Sequence, residues 1–176
     1  ALFEDYLAVL QTLRQLKDDD AIACGLLSKV KTAKFIGAIY ILNAVLPILS
    51  SLSKTFQKGT INFSHIKPSI DYTLAKLNEV MQAKSPILDL KDLLPDSGRL
   101  QLSEVSLTPA MEEQLFNLLA KYVRSLKENI HRRFDNALPV VSAFFIFDPL
   151  AVPNPGSPGF KDYGTNEVKI LAKHFY

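Results

Sequence analysis

The stretch KFIGAIYILNAVLPILSSLSKTF, from Lys34 to Phe56, decides the fold predicted for this chain. It contains 19 uncharged residues in succession, from Phe35 to Ser53. Apolar residues recur at steps of three and four along one side, and further apolar residues cover the other sides. A helix that is apolar all round is normally buried all round. The stretch therefore predicts a buried central helix, and Leu46→Asp is expected to abolish folding because an unpaired buried charge is very costly.

The same run must also be tested as a membrane span. Its 19 residues at ~1.5 Å each cover about 28 Å, which is close to the thickness of the hydrocarbon core. Asn43, Pro47 and three serines interrupt the apolar run, and lysines flank both of its ends. Other segments also carry apolar stripes that need a partner to pack against. We therefore expect a core helix and no membrane partner.

The composition of the chain is that of an ordinary folded domain. Its 176 residues are 48% hydrophobic and 22% charged, which is enough to bury one core. A net charge of +2 does not by itself indicate a nucleic-acid partner. The single cysteine, Cys24, excludes an internal disulfide, fits a reducing compartment and is expected to be buried and inert. The chain opens and closes inside helical patterns, so we expect it to be part of a longer protein.

An extension of the central helix and four other helices are predicted from apolar periodicity and capping residues. Asp20 is expected to cap a helix that runs on into the central helix as far as Lys58 and Gly59. The other predicted helices are Leu2 to Lys17, a helix capped by Ser64 with a stripe from Ile66 to Met81, a helix opened by Thr108 and Pro109 that ends near Arg133, and a helix capped by Thr165 that runs to Tyr176.

Three segments lack a helical period. Ser85 to Leu107 is expected to be a long ordered connection with a short strand, and VVSAFFIF, residues 140–147, a buried strand or extended plug. Residues 152–159 form a proline-rich linker. The predicted fold is all-α: an irregular helical bundle around a buried central helix, with a short extended segment near 140–147. We expect a helical domain over 1–138, followed by residues 139–176 as an extended segment, linker and terminal helix.

The residues that usually carry chemistry are scattered. His65, His131, His174 and Cys24 occur singly, without the spacing of a zinc site. No phosphate-binding glycine loop and no GxSxG nucleophile motif is present in the sequence. The sequence therefore predicts no catalytic residue, no metal site, no cofactor and no small-molecule ligand.

Three acids late in the chain are the candidates for metal-dependent phosphoryl chemistry, which needs at least two converging carboxylates. Asp135 follows a predicted helix end, Asp148 precedes a proline turn, and Glu167 lies in the first turn of the last helix. Each position has an ordinary structural role. We therefore expect structural rather than catalytic acids.

The helix opened by Thr108 and Pro109 carries the only nucleic-acid candidates. Basic residues on it could meet phosphates, but Glu112, Glu113 and Glu128 share the helix, which favours a solvated face. The candidate nucleic-acid contacts are Lys121, Arg124, Lys127, Arg132 and Arg133.

Three long segments of the sequence resemble hAT-superfamily transposase-derived proteins, most of all the domesticated vertebrate kind that joins zinc fingers to a hAT-like body. They are AKFIGAIYILNAVLPILSSLSKTFQKGTINFSHIKPSIDYTLAKLNEV (Ala33 to Val80), LPVVSAFFIFDPLAVP (Leu138 to Pro153) and YGTNEVKILAKHFY (Tyr163 to Tyr176).

In that family a ribonuclease-H-like sheet holds divalent metal with two aspartates and a glutamate, and a helical insertion interrupts the sheet. This chain is similar to the insertion and the start of the return to the sheet. The resemblance implies that both aspartates precede Ala1 and that the glutamate follows Tyr176, so no catalytic residue is carried over. The family also places a tryptophan near the insertion, to stack on an extruded base, whereas this chain has no Trp.

The function expected from these observations is a non-catalytic helical interaction or structural module of a nuclear, transposase-derived protein. Its partner would be another protein or the rest of the parent chain. One alternative is a DNA-binding accessory region of such a transposase. The other is a small helical enzyme with an unrecognised site.

Overall fold

The computed structural model of the chain describes residues 2–57, 63–94 and 105–176, without the side chains of Leu2 and Ser64. Within those ranges the chain forms eight α-helices and three short 3₁₀ turns, and it contains no strand. The all-α prediction is therefore confirmed. The helices are α1 (Leu2–Leu16), α2 (Ala21–Val30), α3 (Ala33–Gln57), α4 (Ile66–Ala83), α5 (Ser85–Leu93), α6 (Pro109–Phe134), α7 (Leu138–Ala143) and α8 (Thr165–Phe175).

Two predicted helix starts are confirmed by their capping hydrogen bonds. The Asp20 carboxylate accepts a hydrogen bond from the Ile22 amide at 2.7 Å, at the start of α2. The Thr108 hydroxyl accepts one from the Met111 amide at 3.3 Å, at the start of α6. Both caps satisfy amides that have no partner within their own helix.

The helix predicted to run from Ala21 into the central helix is interrupted, so that expectation was wrong. α2 ends at Val30 and α3 begins at Ala33. Between them, Thr32 accepts a hydrogen bond from the Phe35 amide at 3.2 Å and donates one to the Lys29 carbonyl at 3.0 Å. A threonine hydroxyl that bonds the local backbone in this way ends one helix and starts the next.

The extended segment predicted for residues 140–147 is also wrong, because the structure places α7 and a 3₁₀ turn, Phe144–Phe147, over those residues. Pro139 lies in the first turn of α7, where its missing N–H costs little. Residues with high strand propensity form a strand only where a neighbouring strand can pair with them. The described part of the chain contains no strand that could pair with residues 140–147.

Further differences concern element boundaries. Part of the connection predicted from Ser85 is helical, since α5 fills Ser85–Leu93. The rest of that prediction, over 95–104, and the helix end predicted at Lys58 and Gly59 lie outside the described residues. Thr165 is the first residue of α8, and Gly164 precedes it with φ of +76°, a conformation that glycine adopts without steric cost.

The chain folds into two compact units. Unit 1 consists of Ala1–Ile48 and Leu77–Arg124, and unit 2 of Leu49–Lys76 and Ser125–Tyr176. The division runs through α3, α4 and α6, whereas the sequence suggested a boundary after residue 138.

The core of unit 1 is apolar and includes one tyrosine with a satisfied hydroxyl. Tyr6 is 7% exposed, and its hydroxyl donates to the Val30 carbonyl at 2.9 Å. Phe3 packs edge-on against Tyr40 with ring centroids 5.0 Å apart. The fully buried side chains of unit 1 include Leu10, Ile36, Val45, Leu77, Ile87, Leu90, Leu115, Leu119 and Val123.

Unit 2 combines several aromatic contacts with a buried aliphatic core, which includes Leu52, Ile66, Ile70 and Ile130. Phe56 stacks on Phe134 with centroids 5.3 Å apart, and Phe63 stacks on Phe144 at 4.9 Å. Tyr163 packs edge-on against another ring of the same unit, and its hydroxyl donates to the Ile146 carbonyl at 3.4 Å. Offset and edge-on ring pairs of this kind add to the stabilisation that comes from area burial.

From Ile41 onward the central helix is buried on one side only, so the expectation of burial all round was wrong for that part; nearer its start, Ile36 and Ile39 are also buried. Ile41 and Val45 are buried, at 3% and 0% exposure, but Leu42 and Leu46 are 40% and 51% exposed. Leu46→Asp is therefore expected to lower the stability of the protein without abolishing its folding.

Cys24, expected to be buried, is exposed on α2.

Two adjacent aspartate substitutions should separate the faces of α3. Val45→Asp is expected to unfold the protein, because it buries an unpaired charge at a fully buried position. Leu46→Asp should cost about 1–2 kcal/mol, through helix propensity and through loss of the apolar area that the half-exposed leucine buries. Urea unfolding followed by circular dichroism measures both. Unfolding of both variants would contradict the one-sided burial of α3.

Burial raises the pKa of Tyr6 from 10.0 to about 12, an effect that Arg14 partly opposes. The neutral phenol is thus the form that the fold favours, so its stabilising contribution is complete below pH 10 and is lost as the pH rises through about 12. Tyr6→Phe should lower the free energy of unfolding by about 1 kcal/mol at pH 8, because the hydrogen bond to the Val30 carbonyl is removed.

The same substitution should make the alkaline loss of stability less steep. Urea titrations at several pH values between 8 and 11.5 would measure this, with the exposed Tyr72→Phe as control. Some slope should remain in Tyr6→Phe, because burial and the Asp89 charge also raise the pKa of Tyr40. Identical pH dependence in the wild type and Tyr6→Phe would refute the assignment.

Candidate functional site

The five basic candidates lie on α6 but do not all share one side of it. In unit 1, Lys121 and Arg124 are exposed and lie about 60° apart around the helix axis. In unit 2, Arg132 and Arg133 are exposed and lie about 100° apart, and exposed Glu128 is within about 40° of Arg132. The Arg132 guanidinium donates to the Asn129 amide oxygen. Lys127 is partly buried, and it already interacts with another group of the protein.

The three acids Asp135, Asp148 and Glu167 each lie at or near the end of a helix or turn. The Asp148 carboxylate accepts a hydrogen bond from the Leu150 amide at 3.0 Å and caps the 3₁₀ turn Pro149–Ala151. Asp135 follows the end of α6, with its carboxylate 3.1 Å from His131 Nδ1. Glu167 lies in the first turn of α8. Within residues 2–57, 63–94 and 105–176, no three His, Cys, Asp or Glu side chains come together as a metal site would require.

The surface that sequence reasoning missed lies on α3. We call Leu42, Asn43, Leu46 and Pro47 the α3 face; all four are exposed, and all belong to unit 1. The face carries no charge, and half of the Leu46 side chain is open to solvent. Two exposed leucines grouped on one side of a helix without any charge between them offer apolar area that a partner could cover.

The sequence did contain a signal for this face. Asn43 is exposed, and Leu46 and Pro47 lie within about 60° of it around the axis of α3. The absence of charge between Phe35 and Ser53 concealed this polar position. Asn43 would have indicated which side of the middle turns faces solvent, although Ile36, about 20° from it in the first turns, is 2% exposed.

α3 is also the one helix in the described residues that is long and apolar enough to cross a membrane, judged by length and composition. In its most apolar 18-residue window, 33% of the residues are buried within the protein. The buried residues include Ile36, Ile41 and Val45 in unit 1. These residues belong to the core of unit 1.

Comparison of the chain with protein-family models, with curated proteins and with solved structures found no match.

Proposed function

We propose that the chain is a non-catalytic helical interaction module of a nuclear, hAT-type transposase-derived protein. The observation that carries the interaction role is the uncharged α3 face, with Leu42 and Leu46 exposed at 40% and 51%. Leucines at the centre of a protein–protein interface bury apolar area that they leave in water in the free module. The hAT origin is supported by the resemblance of the three sequence segments given above.

The chemistry of the α3 face favours a protein over DNA as its partner. No cation lies on the face, whereas DNA binding relies on phosphate neutralisation by Lys and Arg. Asn43 can make a hydrogen bond at the edge of an apolar contact. In the parent protein the partner is the ribonuclease-H-like body that the resemblance implies.

We expect the chain to form a complex with the remainder of its parent protein when the two are expressed as separate polypeptides. The two polypeptides should then co-purify. Leu42→Gln/Leu46→Gln should weaken this complex by about tenfold or more, because it replaces both exposed apolar side chains with polar ones. Isothermal titration calorimetry measures the affinity, and circular dichroism confirms that the double variant folds.

The matched control is Lys169→Gln/Lys173→Gln, a double change at exposed positions of α8 in unit 2. It should leave the complex unchanged. If both double variants bind as tightly as the wild type, the α3 face is not the interaction surface. Flotation of the wild-type chain with neutral phosphatidylcholine vesicles would instead assign α3 to a membrane.

DNA binding is the second candidate function, and the exposed pair Lys121 and Arg124 on α6 in unit 1 favours it. If this pair binds duplex DNA, log affinity should fall linearly with log salt concentration. Lys121→Gln/Arg124→Gln should then reduce the slope by about 0.9 for each phosphate that the variant no longer neutralises. We expect negligible binding at 150 mM salt, on the order of physiological ionic strength, because two cations neutralise too few phosphates to bind DNA at that salt concentration.

The same assay, run with magnesium or manganese on hairpin and nicked DNA, tests the non-catalytic proposal. We expect the DNA to remain intact. Asp148→Asn is the appropriate control, because the amide oxygen keeps the acceptor for the Leu150 amide while the charge is removed. Cleavage by the wild type that disappears in Asp148→Asn would overturn the proposal.

A further inference from the structure

A second surface of unit 1 has a chemistry different from that of the α3 face. It is a solvent-open groove of about 650 Å³ beside α6, and the start of α3 supplies its other wall. We call it the α6 groove. Leu115, 2% exposed, forms its floor, while Met111 and Leu118 line it with about two-fifths of each side chain open to solvent. Lining atoms are mostly apolar, as in sites that receive apolar side chains.

The charges around the α6 groove all have one sign. Lys34 and Lys121 line it, both are exposed, and no carboxylate is among its lining residues. Glu112 is also on α6, but its carboxylate lies 2.9 Å from the Lys91 ammonium. The two lysines thus present positive charge beside an apolar surface, and the complementary occupant carries negative charge beside apolar side chains.

The spacing along α6 indicates the shape of that occupant. Met111, Leu115, Leu118 and Lys121 follow one another at steps of four, three and three, which places them in one row. The row runs from Met111 to Lys121, ten steps along the chain or about 15 Å at 1.5 Å per residue. A partner helix that presents apolar residues at i, i+4 and i+7 spans about 10.5 Å, which matches the part of the row from Met111 to Leu118.

We propose that the α6 groove binds the apolar side of an acidic amphipathic helix from a protein partner. Apolar side chains of that helix contact Met111, Leu115 and Leu118, and its Asp or Glu side chains pair with Lys34 and Lys121. This inference rests on one part of the proposed function, namely that the chain acts by binding another protein. It uses no residue of the α3 face.

The test is selection from a displayed library of 14-residue helical peptides, unbiased in charge, against the full chain. Selected peptides are expected to carry apolar residues at i, i+4 and i+7 and an excess of Asp and Glu. Fluorescence anisotropy with a labelled selected peptide then measures affinity. Lys34→Glu/Lys121→Glu should weaken binding by about tenfold or more, because two attractive pairs become repulsive.

Charge exchange gives a stricter test of the same pairing. A peptide in which the acidic residues are replaced by lysine should bind Lys34→Glu/Lys121→Glu more tightly than it binds the wild type. The matched control, Lys169→Glu/Lys173→Glu, makes the same change in net charge at exposed positions in unit 2 and should leave the affinity for the acidic peptide unchanged.

Three results would overturn the inference: selected peptides that are not acidic, equal affinities for the wild type and Lys34→Glu/Lys121→Glu, or no exchange of preference with the lysine peptide. Displacement of the peptide by oleate at low micromolar concentration would assign the groove to acyl chains and would also overturn it. Leu42→Gln/Leu46→Gln should retain peptide binding. Failure of the α6 groove and failure of the α3 face therefore give different results.

Discussion

The core of unit 1 depends on the close approach of Leu115 to the backbone of α3 at Gly37. A Cβ atom at position 37 would lie 2.5 Å from both terminal carbons of Leu115, closer than packed atoms allow. Glycine inside a helix costs about 1 kcal/mol relative to alanine, but here it admits a leucine that is 2% exposed. The same leucine forms the floor of the α6 groove, so one contact supports both the core and the proposed docking surface.

The one-sided burial of the middle of α3 follows from how a helix packs against a core. A helix needs only one apolar stripe to join a core, and its remaining sides tolerate leucine as well as serine or asparagine. Val45 and Leu46 are neighbours in sequence but point to different environments, because successive residues lie about 100° apart around the axis. High apolar content therefore indicates that α3 enters the core, while Asn43 indicates which side of its middle turns remains outside.

Local interactions were the part of the fold that the sequence could predict. The helices that begin after Asp20 and Thr108 follow from capping side chains within three residues of the amides that they bind. The segment 140–147 was mispredicted because its aromatic residues suit a strand or a buried helical turn equally, and neighbouring elements decide between them. In unit 2 those neighbours are other rings, as in the Phe63 and Phe144 stack. The candidate basic residues could be named from sequence, but the α3 face and the α6 groove required the positions of side chains around and between helices.

The two proposed surfaces differ in the kind of partner that they can select. The α3 face has no charge, so its binding should depend on buried apolar area and respond weakly to salt. The α6 groove combines an apolar floor with Lys34 and Lys121, so the sign of a partner's charge affects both its association rate and its specificity. An uncharged face suits a permanent contact with a fixed neighbour, as the rest of a parent chain would be. A lysine-flanked groove suits a partner that must be distinguished from other helices by its acidic residues.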